Sequence, residues 1–230
     1  MKALYKNFTV KFKPIIVCLV AFAIQQVQAQ SPGQALELNV SNSPQYATMT
    51  MGNNILQAEY TVEAWIRPKS NANGQTIFAV QQPTGANITG FGMGLLSNYI
   101  SVSVPDFDGA NYSTVAQLAI PFNYVVGHWY HLACIVSASN KFIKFYINGV
   151  QVYSQAQTFN STRLFDDKHT IGNIGYNPWA VNSYFSGDID ELRIYNSSSI
   201  NPATDAVSSS VNGANAYYQF DNSTASTGLS

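Results

Sequence analysis

Three carboxylates lie within four consecutive positions of the chain, at Asp188, Asp190 and Glu191. Because side chains alternate across a strand, Asp188 and Asp190 would share one face and Glu191 would point to the other. Paired carboxylates on one face can act as the nucleophile and the general acid of a glycosidase. They can also bind calcium, for which Asp188 and Asp190 are the candidate ligands, or simply accept hydrogen bonds at a strand entrance.

The apolar residues of the same stretch are out of phase with a regular strand. Ile189 would face one side of the sheet, whereas Leu192 and Ile194 would face the other. A β-bulge adds one residue to a strand and so changes the side that the following residues face. We therefore predict a bulge near Asp190 and Glu191, with both acids in structural hydrogen bonds and ion pairs.

A second candidate site is the aromatic, amide-rich stretch 172–184, which is predicted to be a loop between two strands. Aromatic rings pack against the C–H groups of a sugar, and amide side chains hydrogen-bond its hydroxyls. Long loops on a rigid scaffold are also where binding sites are usually found. The alternative is that Trp179 and Tyr184 close the edge of the fold. The candidate ligand-binding residues are Asn173, Tyr176, Asn177, Trp179 and Tyr184.

The histidines and cysteines give no comparable site. His128 and His131 are three positions apart in a predicted strand, so they face opposite sides and cannot bind one zinc ion together. Cys134 lies in an apolar run and is predicted to be a buried, unreactive thiol. Cys18 lies in a leader segment, so the mature chain has no second cysteine with which Cys134 could form a disulfide.

The composition favours a folded domain and argues against nucleic-acid binding. Of the 230 residues, 46% are hydrophobic and 10% are charged, so the chain can bury a sizeable core. The net charge is −1, with 11 lysines and arginines in total. Because phosphate backbones are bound by clustered basic residues, we expect no nucleic-acid partner.

Residues 1–29 have the pattern of a secretory signal peptide. A lysine-rich start is followed by the apolar run 14–24, and small residues at 27–29 suit cleavage after Ala29. The apolar run has 11 residues, whereas a membrane-spanning helix needs about 20. No later segment is apolar enough to span a bilayer. We therefore predict a secreted or cell-surface protein that begins at Gln30, rather than one held by an N-terminal membrane anchor.

Beyond residue 30, short β-rich runs alternate with Gly, Asn, Ser and Pro, a pattern typical of an all-β sandwich or barrel. Asn148-Gly149 lies between two of the runs and predicts a hairpin turn. The predicted strands cover residues 35–40, 60–67, 76–80, 91–96, 99–104, 129–136, 142–147, 150–154 and 189–195.

These runs define one β domain, residues 30–200. Residues 201–216 are rich in Ser, Asn and Ala and are predicted to be a linker. In the last segment, 217–230, the run 217–221 (YYQFD) would form one further strand. That strand either closes the sheet of the same domain or begins a second, truncated module.

A family resemblance is carried by four segments in a fixed order, 60–68 (YTVEAWIRP), 128–133 (HWYHLA), 144–149 (KFYING) and 185–196 (FSGDIDELRIYN). They resemble the laminin-G-like, concanavalin A-like jelly rolls, a superfamily that includes pentraxins and legume-type lectins. The resemblance implies a sandwich of two antiparallel sheets and a non-catalytic binding or adhesion module. The chain departs from the family at residues 41–44, which contain no carboxylate where relatives often carry an acidic loop.

The same superfamily contains laminarinase-type β-glucanases, which use a Glu-x-Asp-x-Glu strand. All three acids of that pattern lie on one face, and the outer two act as nucleophile and general acid. In this chain the third position is Leu192, and the nucleophile position is the shorter Asp188. We therefore predict that the chain is not an enzyme.

The sequence thus predicts a secreted, non-catalytic module that recognises carbohydrate or a glycosylated partner, in the manner of a lectin or an adhesion domain. Calcium is the one candidate cofactor. The alternatives are a glycoside hydrolase of the same fold and a structural spacer repeat in a larger adhesin. The fold does not name the ligand, because one fold supports many functions.

The signal-peptide prediction can be tested by intact-mass analysis. Protein secreted by a host cell should lack residues 1–29 and begin at Gln30, whereas protein recovered before export should retain them. A secreted protein that keeps these residues would contradict the prediction.

Overall fold

The computed structural model describes residues 34–39, 45–50, 58–81, 90–107, 112–159, 171–177, 183–206, 213–214, 216–218 and 220. Within these residues the chain is almost entirely β-structure, with thirteen strands and one short helix, α1, at Pro202–Asp205. The same residues include no helix with the length and apolar character needed to cross a membrane.

Most of the strands lie where the alternation of apolar and polar residues predicts them. In chain order they are β1 (Leu36–Leu38), β2 (Ala47–Thr50), β3 (Glu59–Pro68), β4 (Gln75–Gln81), β5 (Gly92–Leu96), β6 (Tyr99–Phe107), β7 (Tyr112–Pro121), β8 (Tyr130–Ser137), β9 (Phe142–Ile147), β10 (Val150–Ala156), β11 (Ile171–Ile174), β12 (Gly187–Tyr195) and β13 (Ala216–Tyr218). The strands missing from the sequence prediction are β2, β7 and β11.

The strands form two antiparallel sheets that pack face to face. Sheet A has the order β1-β12-β3-β8-β9-β10, and β13 also pairs with β12. Sheet B has the order β2-β11-β4-β5-β6-β7. This architecture confirms the predicted all-β, two-sheet jelly roll, and the C-terminal strand β13 is part of sheet A.

The core lies between the two sheets and follows the two-residue repeat of the strands. In sheet A, Tyr60, Val62 and Ile66 of β3 are fully buried and face sheet B. In sheet B, Met93 and Leu95 of β5 are buried in the same cluster. The intervening residues of each strand therefore point to the outer faces of the sandwich.

The strand β12 contains the predicted bulge. Its pairing with β3 changes register between Asp190 and Arg193, and Glu191 has a φ of +52°. The extra residue brings three apolar side chains of the strand into the core, Ile189, Leu192 and Ile194. As a result Arg193 points to the outer face of sheet A.

Residues 196–206 cover part of that outer face. Thr61 Oγ1 in β3 donates a hydrogen bond to Ser197 O at 2.7 Å. Arg193 Nη1 in β12 donates to Asp205 O at 3.2 Å. The outward-facing residues of the central strands of sheet A are therefore buried, although they lie outside the space between the sheets.

The helix α1 lies in the segment that the sequence predicts as a linker. Asn201 accepts a hydrogen bond from Ala203 N at the helix start, and Pro202 occupies the first turn, where no backbone N–H is needed. Pro202 and Ala206 are both buried. Residues 201–206 of the predicted linker therefore pack against the domain.

The turn between β9 and β10 forms at Asn148 and Gly149, as predicted. Both residues have positive φ values, 49° and 76°, which a type I′ turn requires. A Cβ at position 149 would lie 2.8 Å from the Ala203 Cα, so glycine also permits the close approach of α1.

The unpredicted strands are short or rich in residues that are uncommon in sheets. β11 has the sequence IGNI, β2 has only four residues (ATMT), and β7 contains two alanines, a glutamine and a terminal proline. β11 nevertheless pairs with β2 on one side and β4 on the other, which supplies its hydrogen bonds. The prediction of a loop over 172–184 is therefore wrong at its start, because residues 172–174 belong to a central strand.

The thiol of Cys134 should be inert in the native protein. The side chain is fully buried in β8, and this burial raises the pKa of the thiol well above its ordinary value. We expect the native chain to react with an aromatic disulfide reagent roughly a hundredfold more slowly than the denatured chain, because reaction requires local opening. The mature Cys134→Ala variant supplies the blank. Fast, stoichiometric labelling of the native protein would show that the thiol is accessible.

Candidate functional site

Asp188 forms ion pairs at the start of β12. Arg67 Nε donates to Asp188 Oδ2 at 2.6 Å, and Lys69 Nζ donates to Asp188 Oδ1 at 2.8 Å. Lys69 also pairs with Glu37 of β1 at 2.6 Å. Burial alone would lower the pKa of Lys69, but its hydrogen bonds to Asp188 and Glu37 raise it. These contacts connect β1 and β12 to the end of β3.

The other two acids of the stretch, Asp190 and Glu191, accept hydrogen bonds within the bulge and from the C-terminal residues. Asp190 Oδ1 accepts hydrogen bonds from Glu191 N at 2.8 Å and from Phe220 N at 3.4 Å. Glu191 forms an ion pair with Arg193 and accepts a hydrogen bond from Tyr217 OH at 2.8 Å. Asp190 is fully buried and the Glu191 side chain is 12% exposed, so neither acid faces an open cleft.

The described residues contain no group of three or more His, Cys, Asp or Glu side chains placed to hold a metal ion. Calcium takes about six to eight oxygen ligands, usually including several carboxylates. The Asp188 oxygens already accept hydrogen bonds from two cationic side chains. Calcium binding at Asp188 and Asp190 is untested, and these contacts favour the alternative in which the acids accept structural hydrogen bonds.

A buried ionic cluster lies under residues 196–206 and was not predicted. Glu63 Oε1 of β3 is 3.3 Å from Arg193 Nη1, and its Oε2 is 3.5 Å from His131 Nε2 of β8. All three residues are at most 1% exposed. Burial alone would lower the pKa of Arg193, but the negative charges of Glu63 and Glu191 raise it, so the guanidinium stays charged. The cluster is closed to solvent and is bonded to the covering segment through the hydrogen bond from Arg193 to Asp205 O.

Three tyrosines form an aromatic cluster at one end of sheet B, which we call the tyrosine cluster. Tyr176 and Tyr184 are stacked, with ring centroids 4.5 Å apart and an interplanar angle of 12°. Tyr46, just before β2, has its ring centroid 5.0 Å from Tyr176 and 6.3 Å from Tyr184. Burial, followed by the contacts with Tyr184 and Tyr46, raises the pKa of Tyr176, so the phenol is neutral. Tyr46 is 51% exposed, which leaves ring surface open to solvent.

The backbone that carries Tyr176 and Tyr184 is fixed by hydrogen bonds to sheet B. Gly175 N donates to Ile77 O of β4 at 2.8 Å, and Phe185 N donates to Gly175 O at 2.9 Å. Phe185 is fully buried in the core, so the preceding Tyr184 points outward. The stacked pair is therefore held by the sheet and not by a free loop.

The predicted amide residues lie in two different settings. Asn177 N donates to Ser183 Oγ at 3.1 Å, and Ser183 Oγ donates to Asn177 O at 3.0 Å, which joins the two ends of the loop. Asn173 lies within β11 on the outer face of sheet B and is 3% exposed. Trp179 lies outside the described residues.

An open groove of about 200 Å³ adjoins the tyrosine cluster. Asn177 and Ser183, the chain neighbours of Tyr176 and Tyr184, line one end of it. The described residues that line the groove are all uncharged, and most are small or carry a hydroxyl or an amide. Those on the outer face of sheet B are Thr76, Gly92, Gly94, Ser101, Ser103 and Gln117.

Family membership is decided by the sequence of the domain as a whole. Residues 41–203, more than half of the chain, match a laminin-G family of the concanavalin A-like lectin/glucanases superfamily. The chain belongs to this family. The match confirms the resemblance carried by the four segments, and the two packed sheets have the jelly-roll arrangement that the resemblance implies.

This laminin-G-like domain is similar to a small part of a large receptor and to several solved structures. It is 26% identical over 143 residues to the adhesion G-protein coupled receptor V1 of Danio rerio, a match that covers 61% of this chain and 2% of the receptor. In fold it resembles a SAP-like pentraxin from Limulus polyphemus (TM-score 0.54, 15% identity, 78% of this chain and 82% of that chain). It also resembles the CBM40 domain of the Ruminococcus gnavus IT-sialidase bound to α2,3-sialyllactose (TM-score 0.55, 15% identity, 74% and 95%). A further similar fold is that of mouse laminin α1 domains LG4-5 (TM-score 0.51, 14% identity, 78% and 44%).

Thermal melting tests the role of Asp188 and Asp190. We expect the melting temperature of the laminin-G-like domain to be the same in millimolar calcium and in chelator, because Arg67 and Lys69 already neutralise Asp188. The Asp188→Asn/Asp190→Asn double variant, melted under both conditions, is the control. A rise with calcium in the parent protein that is absent from the variant would instead assign a calcium ion to these acids.

Proposed function

We propose that this laminin-G-like domain is a non-catalytic module that binds carbohydrate, either free or on a glycosylated partner. The observation that carries the proposal is the tyrosine cluster next to an uncharged groove on sheet B, whose lining includes the chain neighbours of two of the tyrosines. Aromatic rings offer apolar faces to the C–H groups of a sugar, and a few placed hydroxyls and amides fix its orientation by hydrogen bonds. Both kinds of surface lie side by side here.

The rigidity of the tyrosine cluster supports a binding role. Tyr46 precedes the paired strand β2, and Tyr176 follows β11, which is paired on both sides. Tyr184 forms an isolated bridge with Thr76 of β4. A ligand that packs on side chains held in this way restricts little additional motion, so less of the contact energy is lost to conformational entropy.

The position of the carboxylates supports a module without catalysis. A retaining glycosidase needs two carboxyl groups about 5 Å apart on either side of the scissile bond. Asp188 and Asp190 lie in sheet A, where Asp188 is paired with Arg67 and Lys69 and Asp190 is buried. The groove lies on the opposite sheet and has no carboxylate among its described lining residues.

The named relatives agree with a binding function outside the cell. The CBM40 domain was solved with α2,3-sialyllactose bound, and the Danio rerio relative is an adhesion receptor. Export through the predicted signal peptide would place the module in the same kind of environment. The domain matches only 2% of that receptor, which also fits the alternative of a spacer repeat in a large protein.

Replacement of Tyr46 separates binding from folding, because this side chain is half exposed. The exported chain should bind at least one glycan on an array, and Tyr46→Ala should weaken that binding at least about tenfold, the effect of losing an aromatic anchor. The free energy of unfolding should fall by no more than about 1 kcal/mol, the central value for a point substitution, because the side chain is half exposed. Titration calorimetry and a denaturant melt measure the two quantities.

Tyr146→Ala is the matched control, since Tyr146 is a partly exposed tyrosine of β9 in sheet A. It should leave glycan affinity unchanged. A chain that binds no glycan, with calcium or with chelator, would favour the spacer alternative. Cleavage of a bound glycan, abolished by Asp188→Asn, would favour the hydrolase.

A further inference from the structure

The outer face of sheet B carries a continuous row of small or uncharged residues that crosses all six strands. The strand register places them side by side in the order Thr48, Asn173, Ala79, Gly92, Ser103 and Gln117. A second row beside the first consists of Thr76, Gly94, Ser101 and Ala119. Both rows run across the strands, and the groove follows them from β4 to β7.

The two glycines of β5 differ in what the fold requires of them. A Cβ on Gly94 would lie 2.6 Å from Gln75 O, so the close approach of β4 requires glycine at this position. A Cβ on Gly92 would meet Ser103 Oγ at 2.8 Å, and a serine side chain can rotate away. The fold does not need glycine at position 92, where the missing side chain leaves the floor of the groove open.

We propose that the groove holds an uncharged oligosaccharide chain that lies across β4, β5, β6 and β7, with its terminal ring at the tyrosine cluster. This inference rests on the proposed carbohydrate-binding function and specifies the ligand class and its direction. Neighbouring strands are about 4.8 Å apart, so the three spacings from β4 to β7 span about 14 Å. An oligosaccharide of a few rings spans a comparable length, which sets the chain length at which affinity should level off.

The chemistry of the groove indicates an uncharged ligand. A carboxylate-bearing sugar is normally held by charge-assisted hydrogen bonds from arginine or lysine. The described lining offers instead serine and threonine hydroxyls and the amides of Gln117 and Asn177. Such groups both donate and accept hydrogen bonds, as the hydroxyls of a neutral sugar do.

A peptide partner fits the same surface less well. The backbone groups of β4, β5 and β6 are already paired on both sides, so an extended peptide cannot add to the sheet there. Protein interfaces also depend on large aromatic or apolar anchors near their centre. The centre of this face is occupied by Gly92, Gly94, Ser101 and Ser103.

The test measures affinity against chain length with defined probes. The exported chain is titrated with linear β-1,4-linked glucose, mannose and xylose oligosaccharides of one to six units, and with α2,3-sialyllactose as the charged probe. We expect binding to at least one neutral series, with affinity that rises at least tenfold from one unit to about three units and then levels off. The sialylated trisaccharide should bind no better than its neutral lactose portion.

Two variants locate the chain on the sheet. Ser101→Trp places a bulky ring on the groove floor and should reduce the affinity for the longer neutral chains at least tenfold. The matched control is Ser154→Trp, an exposed serine of β10 in sheet A, which should leave the affinity unchanged. Gln117→Ala removes an exposed amide at the far end of the groove and should weaken the longer chains a few-fold while sparing the single sugar. Melting temperatures show whether each variant is folded.

The possible failures are distinct. Affinity that does not depend on chain length, or a folded Ser101→Trp protein that binds normally while Tyr46→Ala does not, would overturn the groove assignment and leave the tyrosine site intact. Selective binding of the sialylated probe would contradict the proposal that the ligand is uncharged, and would also leave the tyrosine site intact. Binding of no sugar by a folded protein would remove both the inference and the function on which it rests.

Discussion

The bulge in β12 is the constraint on which the rest of the domain depends. One extra residue at Glu191 lets Ile189, Leu192 and Ile194 share the core, although they are out of phase in the sequence. It also directs Arg193 to the outer face, towards Glu63. A buried charge is tolerable when it has an opposite charge beside it, and removing one partner of such a pair typically costs about 3–5 kcal/mol.

The outer face of sheet A is covered over its central strands. Residues 196–206 lie over β3 and β12 and are held by Thr61 and by Arg193 itself. The acids of β12 form structural contacts, and Asp188 forms ion pairs with Arg67 and Lys69. The acids that suggested a glycosidase or a calcium site therefore stabilise the fold. The outer face of sheet B has a different character, with small uncharged residues in a groove whose lining includes Asn177 and Ser183, the chain neighbours of Tyr176 and Tyr184.

Much of the fold could be predicted from local patterns. The alternation of apolar and polar residues predicted nine of the strands, and Asn148 and Gly149 predicted a turn. The bulge was predicted because the apolar residues on either side of Asp190 are out of phase with a regular strand. The candidate site was predicted in part, through Tyr176 and Tyr184. Tyr46 was missed, because it precedes a four-residue strand with a weak β signal and is more than a hundred positions away in the chain.

The sequence by itself determined which face of most strands is apolar, because that depends on the period of two residues within one strand. Only the tertiary structure decided which strands are neighbours and which part of each outer face stays open: on sheet B, Asn173 and Ala79 are buried whereas Gln117 is exposed. The row from Thr48 to Gln117 uses one residue from each of six strands, and no single segment contains a sign of it. From the sequence pattern, Glu63 and His131 are likewise expected to be exposed on an outer face. In the structure they are buried, because residues 196–206 cover them. The register of the strands and the covering of a sheet face depend on contacts between residues that are far apart in the chain. The alternation of apolar and polar residues within one strand carries no information about these contacts.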